Sequence, residues 1–252
     1  LKSIKVVTYN IHRAIGIDRK FAPERIIDIL KGLNGDVVLL QEVDEGVPRS
    51  NELNLAEVLA EACAYPHFAL SHNVTLKKGQ YGNATLSRFP IHKQSNIDLT
   101  IDNKKKRGCQ HTTLRISDSK TDIQFLEVFN LHLGLSAKER QKQAGKLFKS
   151  KEFSTIDIHQ PCIVGGDFND WRSLLRALFI IGKDFHCATD RTSIRGNEVA
   201  LKTYPSFSPR GGLDRIYYRG NICCKQVART KMRIAKVASD HLPVVASFEI
   251  DD

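Results

Sequence analysis

Short apolar runs of strand length recur from one end of this chain to the other, and most of them stop at, or start from, a polar residue suited to metal or phosphate. Residues 4–11, 37–43, 67–71, 84–88, 109–116, 123–131, 162–164, 215–218 and 244–250 carry the β-branched and aromatic content of strands. That many strands require at least one large sheet and predict two. Helical periodicity fills the gaps. Residues 23–33 begin with Pro23 at a first helical position and place Ile26, Leu30 and Leu33 on one stripe. Residues 52–64 repeat the pattern through Leu55, Val58, Leu59 and Ala62, and residues 137–150 follow Ser136, which is spaced with Glu139 as a capping box. A fourth helix, 173–181, is apolar enough to pack on more than one side. The polar stretch 189–209 reads as long loops. No repeat, linker or compositional break divides the chain, so one domain spanning 1–252 is expected, large enough to bury a core without staples.

The polar residues at the strand ends define the chemistry. Asn10 closes the first run, Gln41-Glu42 the second, and Asn130 and His132 lie at the end of a later one. Gly165-Gly166-Asp167-Phe168-Asn169 follows Ile163-Val164, Asp214 opens a strand, and Ser239-Asp240-His241 precedes the last. In antiparallel neighbours the end of one strand and the start of the next share a rim, so these groups can converge on one edge. Mg²⁺ takes oxygen ligands, commonly one or two carboxylates, which Glu42 and Asp240 can supply. Cleavage of a phosphodiester also needs an activated water, donors for the charge on phosphorus and help for the departing oxygen. Asp167, Asn10 with Asn169, and His132 with His241 fit those needs. Singly, each has a plainer reading: Asn is a common turn former, Glu42 is one strand-end carboxylate among several, and Gly165-Gly166-Asp167 can be a structural turn.

A formal net charge of +10 selects anionic partners by sign, whether nucleic acid, an anionic lipid surface or phosphorylated small molecules. The run Lys104-Lys105-Lys106-Arg107 reads as solvated surface in preference to a phosphate loop. Six cysteines without a Cys-x-x-Cys pair point to reduced, mostly buried thiols and exclude a recognisable zinc site. The sequence holds no signal-like or membrane-length apolar stretch, from which a soluble, cytoplasmic protein is expected.

Taken in order, the motifs Thr8-Tyr9-Asn10, Leu40-Gln41-Glu42-Val43, Gly82-Asn83-Ala84 with Leu86-Ser87-Arg88-Phe89-Pro90-Ile91, Asn130-Leu131-His132-Leu133, Gly166-Asp167-Phe168-Asn169, Leu213-Asp214-Arg215-Ile216 and Ser239-Asp240-His241 resemble those of the endonuclease/exonuclease/phosphatase superfamily. The resemblance spans nearly the whole chain. It implies a four-layer α/β/β/α sandwich of two mixed β-sheets flanked by helices, with the site at one end. It also implies that Glu42 holds Mg²⁺, or Mn²⁺ in its place, with Asn10 and Asp240 close by. Asp167 would orient or deprotonate water, Asn10 and Asn169 would contact phosphate, His241 would face the scissile phosphate oriented by Asp214, and His132 would be a second phosphate-side histidine.

Substrate does not follow from the fold. Nucleic acid is the leading expectation, which makes the chain an endonuclease-like phosphodiesterase that acts as a monomer. A phosphodiesterase for phospholipid head groups or small phosphorylated molecules is the alternative, and a non-catalytic nucleic-acid-binding module is a third reading, disfavoured because every acidic and imidazole slot is filled. Arg49 and Arg172 are candidate phosphate clamps because guanidinium meets phosphate in bidentate fashion. Trp171 can stack on a base or close a wall of the site.

Overall fold

The computed structural model describes residues 2–117, 123–193, 196 and 198–250. Strand β1 (Lys2–Asn10) is buried on both faces, and its side chains alternate between two cores. Ile4 and Val6 enter one, Val7 and Tyr9 the other. Helix α1 (Pro23–Leu33) starts with Pro23 and ends at Asn34, which takes the left-handed conformation and donates its N–H to the Leu30 carbonyl. It returns the chain to β2 (Val37–Glu45), which runs parallel to β1 with Asn10 opposite Gln41. Helix α2 (Leu55–Ala62) and strands β3 (His67–Thr75) and β4 (Gln80–Ser87) extend this sheet.

The second sheet begins with β5 (Ile91–Asp98), β6 (Gly108–Arg115) and β7 (Phe125–His132). Helices α3 (Ala137–Lys149) and α4 (Lys151–Ser154) lead to β8 (Cys162–Asp167), parallel to β7. Helix α5 (Arg176–Lys183), β9 (His186–Cys187), the hairpin β10 (Asp190–Thr192) and β11 (Glu198–Ala200), and β12 (Asp214–Arg219) follow. The chain then crosses back through β13 (Ile222–Arg229), α6 (Ala235–Ala238) and β14 (Val244–Ile250). The two six-stranded sheets have the orders β13-β14-β1-β2-β4-β3 and β5-β6-β7-β8-β12-β9.

Three cores fix the layers. Val7, Tyr9, Val38 and Leu40 pack outward on α1 and α2, through Ile26, Ile29, Leu30, Leu55 and Leu59. Phe129, Leu131, Cys162 and Val164 pack on α3 to α5, through Leu147, Phe148, Phe153 and Phe179. Ile4, Val6, Val37, Leu39, Leu126, Val128, Ile163, Ala246 and Phe248 fill the space between the sheets. The result is the expected α/β/β/α sandwich of two mixed sheets. Gly165 lets the sheets approach, because a Cβ there would sit 2.7 Å from Leu39 Cδ1.

Toward one end this inter-sheet layer turns polar. Asn130 Nδ2 donates to the Leu40 and Ala84 carbonyls (3.1 and 2.9 Å), while Gln41 Nε2 donates to Asn130 Oδ1 (2.8 Å). Asn83 Nδ2 reaches across to the Gly108 and Asn130 carbonyls, both at 3.1 Å. These amides tie together the ends of β2 and β7, so the rims of both sheets face the same way.

Several sequence expectations change. The helix expected over 52–64 begins only at Leu55, because Asn51 and Glu52 are left-handed and Asn54 caps it by accepting the Glu57 N–H. The helix expected over 173–181 begins at Arg176, and it leaves Leu178 and Ile181 exposed instead of packing on several sides. Part of 189–209, expected to be loop, forms the β10–β11 hairpin, while Ile194, Arg195 and Asn197 of that stretch lie outside the described residues. Strands β5 and β13 carry no clear strand signal in the sequence: both are sheet edges, β5 is mostly polar and exposed, and a bulge between Cys224 and Gln226 interrupts the apolar alternation of β13. All six cysteines are free, with Cys109 and Cys162 buried, Cys223 exposed and the others between. Among the described residues, no helix is long and apolar enough to cross a membrane.

Candidate active site

The parallel strands β1, β2, β7 and β8 end at this shared rim, and the antiparallel neighbours β12 and β14 begin there. Strand register alone therefore gathers Asn10, Glu42, His132, Asp167, Asp214 and His241. Gly166 is the hinge that lets β8 present Asp167: its φ is +141° and a Cβ would lie 1.9 Å from the Leu131 carbonyl oxygen, so no other residue fits. Beyond it, Asn169 is left-handed (φ 50°) and donates its backbone N–H to Asp167 Oδ1 at 2.9 Å.

Asp167 is buried and lies at the centre of the cluster. Its Oδ2 accepts Asn10 Nδ2 at 3.0 Å and lies 3.4 Å from His132 Nε2 and 3.7 Å from His241 Nε2. The Asn10 amide is oriented from its other end, where Oδ1 accepts the His12 N–H at 3.0 Å. Asn169 Nδ2 donates to the Leu133 carbonyl at 3.0 Å. His241 Nδ1 is 2.9 Å from Asp214 Oδ2, which also accepts Thr203 Oγ1 at 2.5 Å. Asp214 Oδ1 is buried without a hydrogen-bond partner among the described residues.

Electrostatics separate these groups. Burial pushes the Asp167 carboxyl up to about 6, against the pull of the His241 charge. Burial works against a charged His241, yet the carboxylates of Asp214 and Asp167 override it and push the imidazole up to about 10. Burial, with Arg107, His241 and Lys105 nearby, holds His132 well below the usual imidazole range. The site thus pairs a charged with a neutral imidazole across one carboxylate.

Glu42 sits on a β-bulge: the register of β2 against β4 shifts between Leu40 and Val43, and Glu42 is left-handed with φ 56°. Bulges re-aim side chains beside active sites. Here the half-buried carboxylate lies 3.3 Å from Arg13 Nε, on a turn where His12, Arg13 and Ala14 are all left-handed. Asp240 is half-buried, and Ser239 Oγ contacts both Asp240 Oδ1 (3.4 Å) and the Asn10 carbonyl (2.7 Å). Asp167, Asp214 and His241 form the one group of three His, Cys, Asp or Glu side chains, among the described residues, whose ligand atoms all lie within 4.8 Å of each other. Such a group can hold a metal ion.

A family model described as Endonuclease/Exonuclease/phosphatase family matches residues 7–241, from β1 through His241. The chain belongs to the endonuclease/exonuclease/phosphatase family. It is 30% identical over 257 residues to the uncharacterized protein YbhP of Escherichia coli (strain K12), covering 98% of this chain and 97% of YbhP. Its fold matches an endonuclease/exonuclease/phosphatase from Beutenbergia cavernae DSM 12333 with a TM-score of 0.81 at 19% identity, covering 99% of this chain and 72% of that one. It also matches the mannosyl-6-phosphatase Bt3783 of Bacteroides thetaiotaomicron VPI-5482 with a TM-score of 0.71 at 17% identity, covering 98% and 100%.

Within this family site, Arg49, expected as a phosphate clamp, is ion-paired: its Nε and one terminal nitrogen each lie 2.8 Å from the buried Asp44 carboxylate, which holds the guanidinium above its usual range and over the Tyr81 ring. The basic run 104–107 is not all solvated surface. Arg107 is buried, its Nε lacks a partner among the described residues, and it lines a small cavity with Glu42, Asn83, Lys106 and His132. The pairing of β6 with β7 brings it there, by setting Cys109 opposite Leu131. Arg172 is exposed beside Asn169 and Trp171, without a hydrogen bond or ion pair among the described residues. Arg13 has no individual signal in the sequence, since a lone Arg carries none.

Proposed function

We propose that this phosphoesterase is a Mg²⁺-dependent phosphodiesterase whose leading substrates are nucleic acids. The observation that carries the reading is the placement of Asp167 Oδ2 between Asn10, His132 and His241 at the rim. The donor set fits a hard cation: Glu42, Asp240 and the free lone pair of Asn10 Oδ1 offer oxygen ligands. Mg²⁺ favours an all-oxygen donor set, so the cation is assigned to Glu42, Asp240 and Asn10 in preference to the Asp167–Asp214–His241 group, which includes an imidazole. When bound, the metal would stabilise charge on the phosphoryl oxygens and make water more acidic.

The chain's own groups do the rest. Asp167, ionised above pH 6, orients a water and takes its proton. Asp214 fixes the tautomer of His241 and leaves Nε2–H free to donate to the phosphate. His132 donates a second, uncharged hydrogen bond on the same side. Asn169 aids phosphate contact, and Arg107, Arg172 and the neighbouring lysines add positive charge around the mouth.

Exposed apolar side chains at the rim support a second reading, a phosphodiesterase for phospholipid head groups. Leu135 and Phe207 are 76% and 61% exposed at the ends of loops beside the site. The deciding experiment is plasmid nicking with Mg²⁺ against EDTA, alongside Asp167→Ala. Nicking that requires both metal and Asp167 supports the nuclease. A plasmid left intact in every condition rejects it and moves the search to phospholipid and small phosphodiesters.

A further inference from the structure

Next to the phosphate-side groups lies an aromatic wall that the hydrolytic step does not use. Trp171 follows the β8 motif and is 53% exposed, an unusual state for the largest side chain in the chain. It is nonetheless held in place. Its ring lies on Gly211, where a Cβ would come within 2.6 Å of Cζ3, so the missing side chain is what admits the indole. It meets Tyr204 edge-on, with centroids 5.5 Å apart at 87°, and Tyr204 in turn lies 5.0 Å from the His241 ring.

The loop carrying Tyr204 is fastened to the site at several points. Thr203 Oγ1 donates to Asp214, the Ser206 N–H donates to the Asp240 carbonyl at 2.7 Å, and the Leu242 N–H donates to the Thr203 carbonyl at 3.0 Å. Gly211 and Tyr204 pair as a short bridge. The indole face is therefore fixed relative to His241 and Asp214, and holding it there costs little ordering entropy on binding. Arg172, adjacent in sequence, is exposed and adds a positive charge to this loop.

We propose that Trp171, backed by Tyr204, is a specificity-determining platform that stacks a planar ring of the substrate, and that the preferred phosphodiesters carry a nucleobase next to the scissile phosphate. The chemistry favours a base over an acyl chain. A fixed indole, joined through Tyr204 to the His241 ring and two residues from Asn169, matches a ring attached through a sugar to a phosphate. The exposed apolar residues Leu178 and Ile181 lie farther along α5, which runs from the rim toward the far end of β12, so they do not extend this wall into a membrane-facing patch at the site.

The proposal rests on the phosphodiesterase reading for its setting, and Trp171 makes a separate test possible because it is the only tryptophan. Its fluorescence reports stacking without turnover. Thymidine 5′-monophosphate should quench it saturably, while 2-deoxyribose 5-phosphate at equal concentration should not. Trp171→Ala should raise KM for the p-nitrophenyl ester of thymidine 5′-monophosphate about tenfold with kcat retained, the size expected for one stacked base, and Trp171→Phe should restore most of it. Equal quenching by both phosphates, or none by either, overturns the platform. So does a blue shift on phosphatidylglycerol vesicles without nucleotide quenching, which would assign the wall to lipid. Base-selective quenching in a protein that cleaves no phosphodiester would uphold the platform and reject the proposed function instead.

Discussion

His132 and His241 approach the same oxygen of Asp167, at 3.4 and 3.7 Å, and are driven to opposite charge states. His241 has Asp214 on its Nδ1, whereas His132 is buried beside Arg107, His241 and Lys105 and, among the described residues, ion-pairs with no carboxylate other than Asp167. The unlike surroundings of two imidazoles on one carboxylate thus make one a cation and the other a neutral donor.

The first prediction follows from His241. Its folded pKa of about 10 exceeds the ordinary value of 6.5, so the folded state holds more protons between those limits. Stability from this group is complete below about pH 6.5 and is lost as pH rises toward 10, with a slope of at most about 1.4 kcal/mol per pH unit. Denaturant unfolding in EDTA should show that decline. In His241→Gln the decline should be absent, and an unchanged slope would refute the assignment.

Asp167 predicts a penalty of the same sign at lower pH. A carboxyl raised from 3.8 to about 6 by burial binds protons more tightly when folded, so rising pH destabilises the metal-free protein across that window. Asp167→Ala should therefore gain on the wild type between pH 4 and pH 8, by about 1–3 kcal/mol in the difference of unfolding free energies. The same variant should lose several orders of magnitude in rate, which separates the functional from the structural cost of the carboxylate. A constant stability difference at both pH values would mean that Asp167 is not raised.

Much of this site was legible because its residues lie at strand ends, where an apolar run and the polar residue beside it are read together. Asn10, Glu42, Asp167 and Asp214 were all found that way, and helix α1 was read to its observed limits. Illegible features depend on partners distant in sequence. Arg49 follows the Glu42 motif closely enough to look like part of the site, yet it is turned aside by Asp44, whose burial no local pattern reveals. Arg107 sits in a lysine run that looks like surface, and only the β6–β7 register takes it to His132. Strand β13 packs Ile222, Cys224 and Val227 on the inter-sheet core, but the bulge between Cys224 and Gln226 breaks the alternation that would mark it, and β5 is polar and exposed over most of its length.

The pairing of Arg49 with Asp44 predicts that the guanidinium stabilises the fold more than it binds substrate. Arg49→Ala leaves the buried Asp44 carboxylate with only Ser50 Oγ, at 3.1 Å. Because the guanidinium is partly exposed, the loss should be about 1–2 kcal/mol, less than for a fully buried pair. Thermal unfolding should register it while KM stays within about twofold, a change of about 0.4 kcal/mol. A large rise in KM with unchanged stability would return Arg49 to the role of clamp.

Asn130 predicts a change felt in two places. From the second sheet its amide satisfies the Leu40 and Ala84 carbonyls, which flank the bulge where β2 leaves its register with β4, and its Oδ1 accepts Gln41. Asn130→Leu has similar volume but removes the side-chain donor to two buried carbonyls, at a cost of about 2–3 kcal/mol, while Gln41 Nε2 keeps Thr8 Oγ1 and the Leu39 carbonyl as acceptors. The bulge aims Glu42, so the variant should also bind metal more weakly although Asn130 is no ligand in the proposed site. Mn²⁺ titration followed by paramagnetic relaxation of water reads this without turnover. Reduced stability with unaltered Mn²⁺ affinity would confine Asn130 to holding the sheets together. Loss of both would establish that the inter-sheet amides set the position of the Glu42 carboxylate.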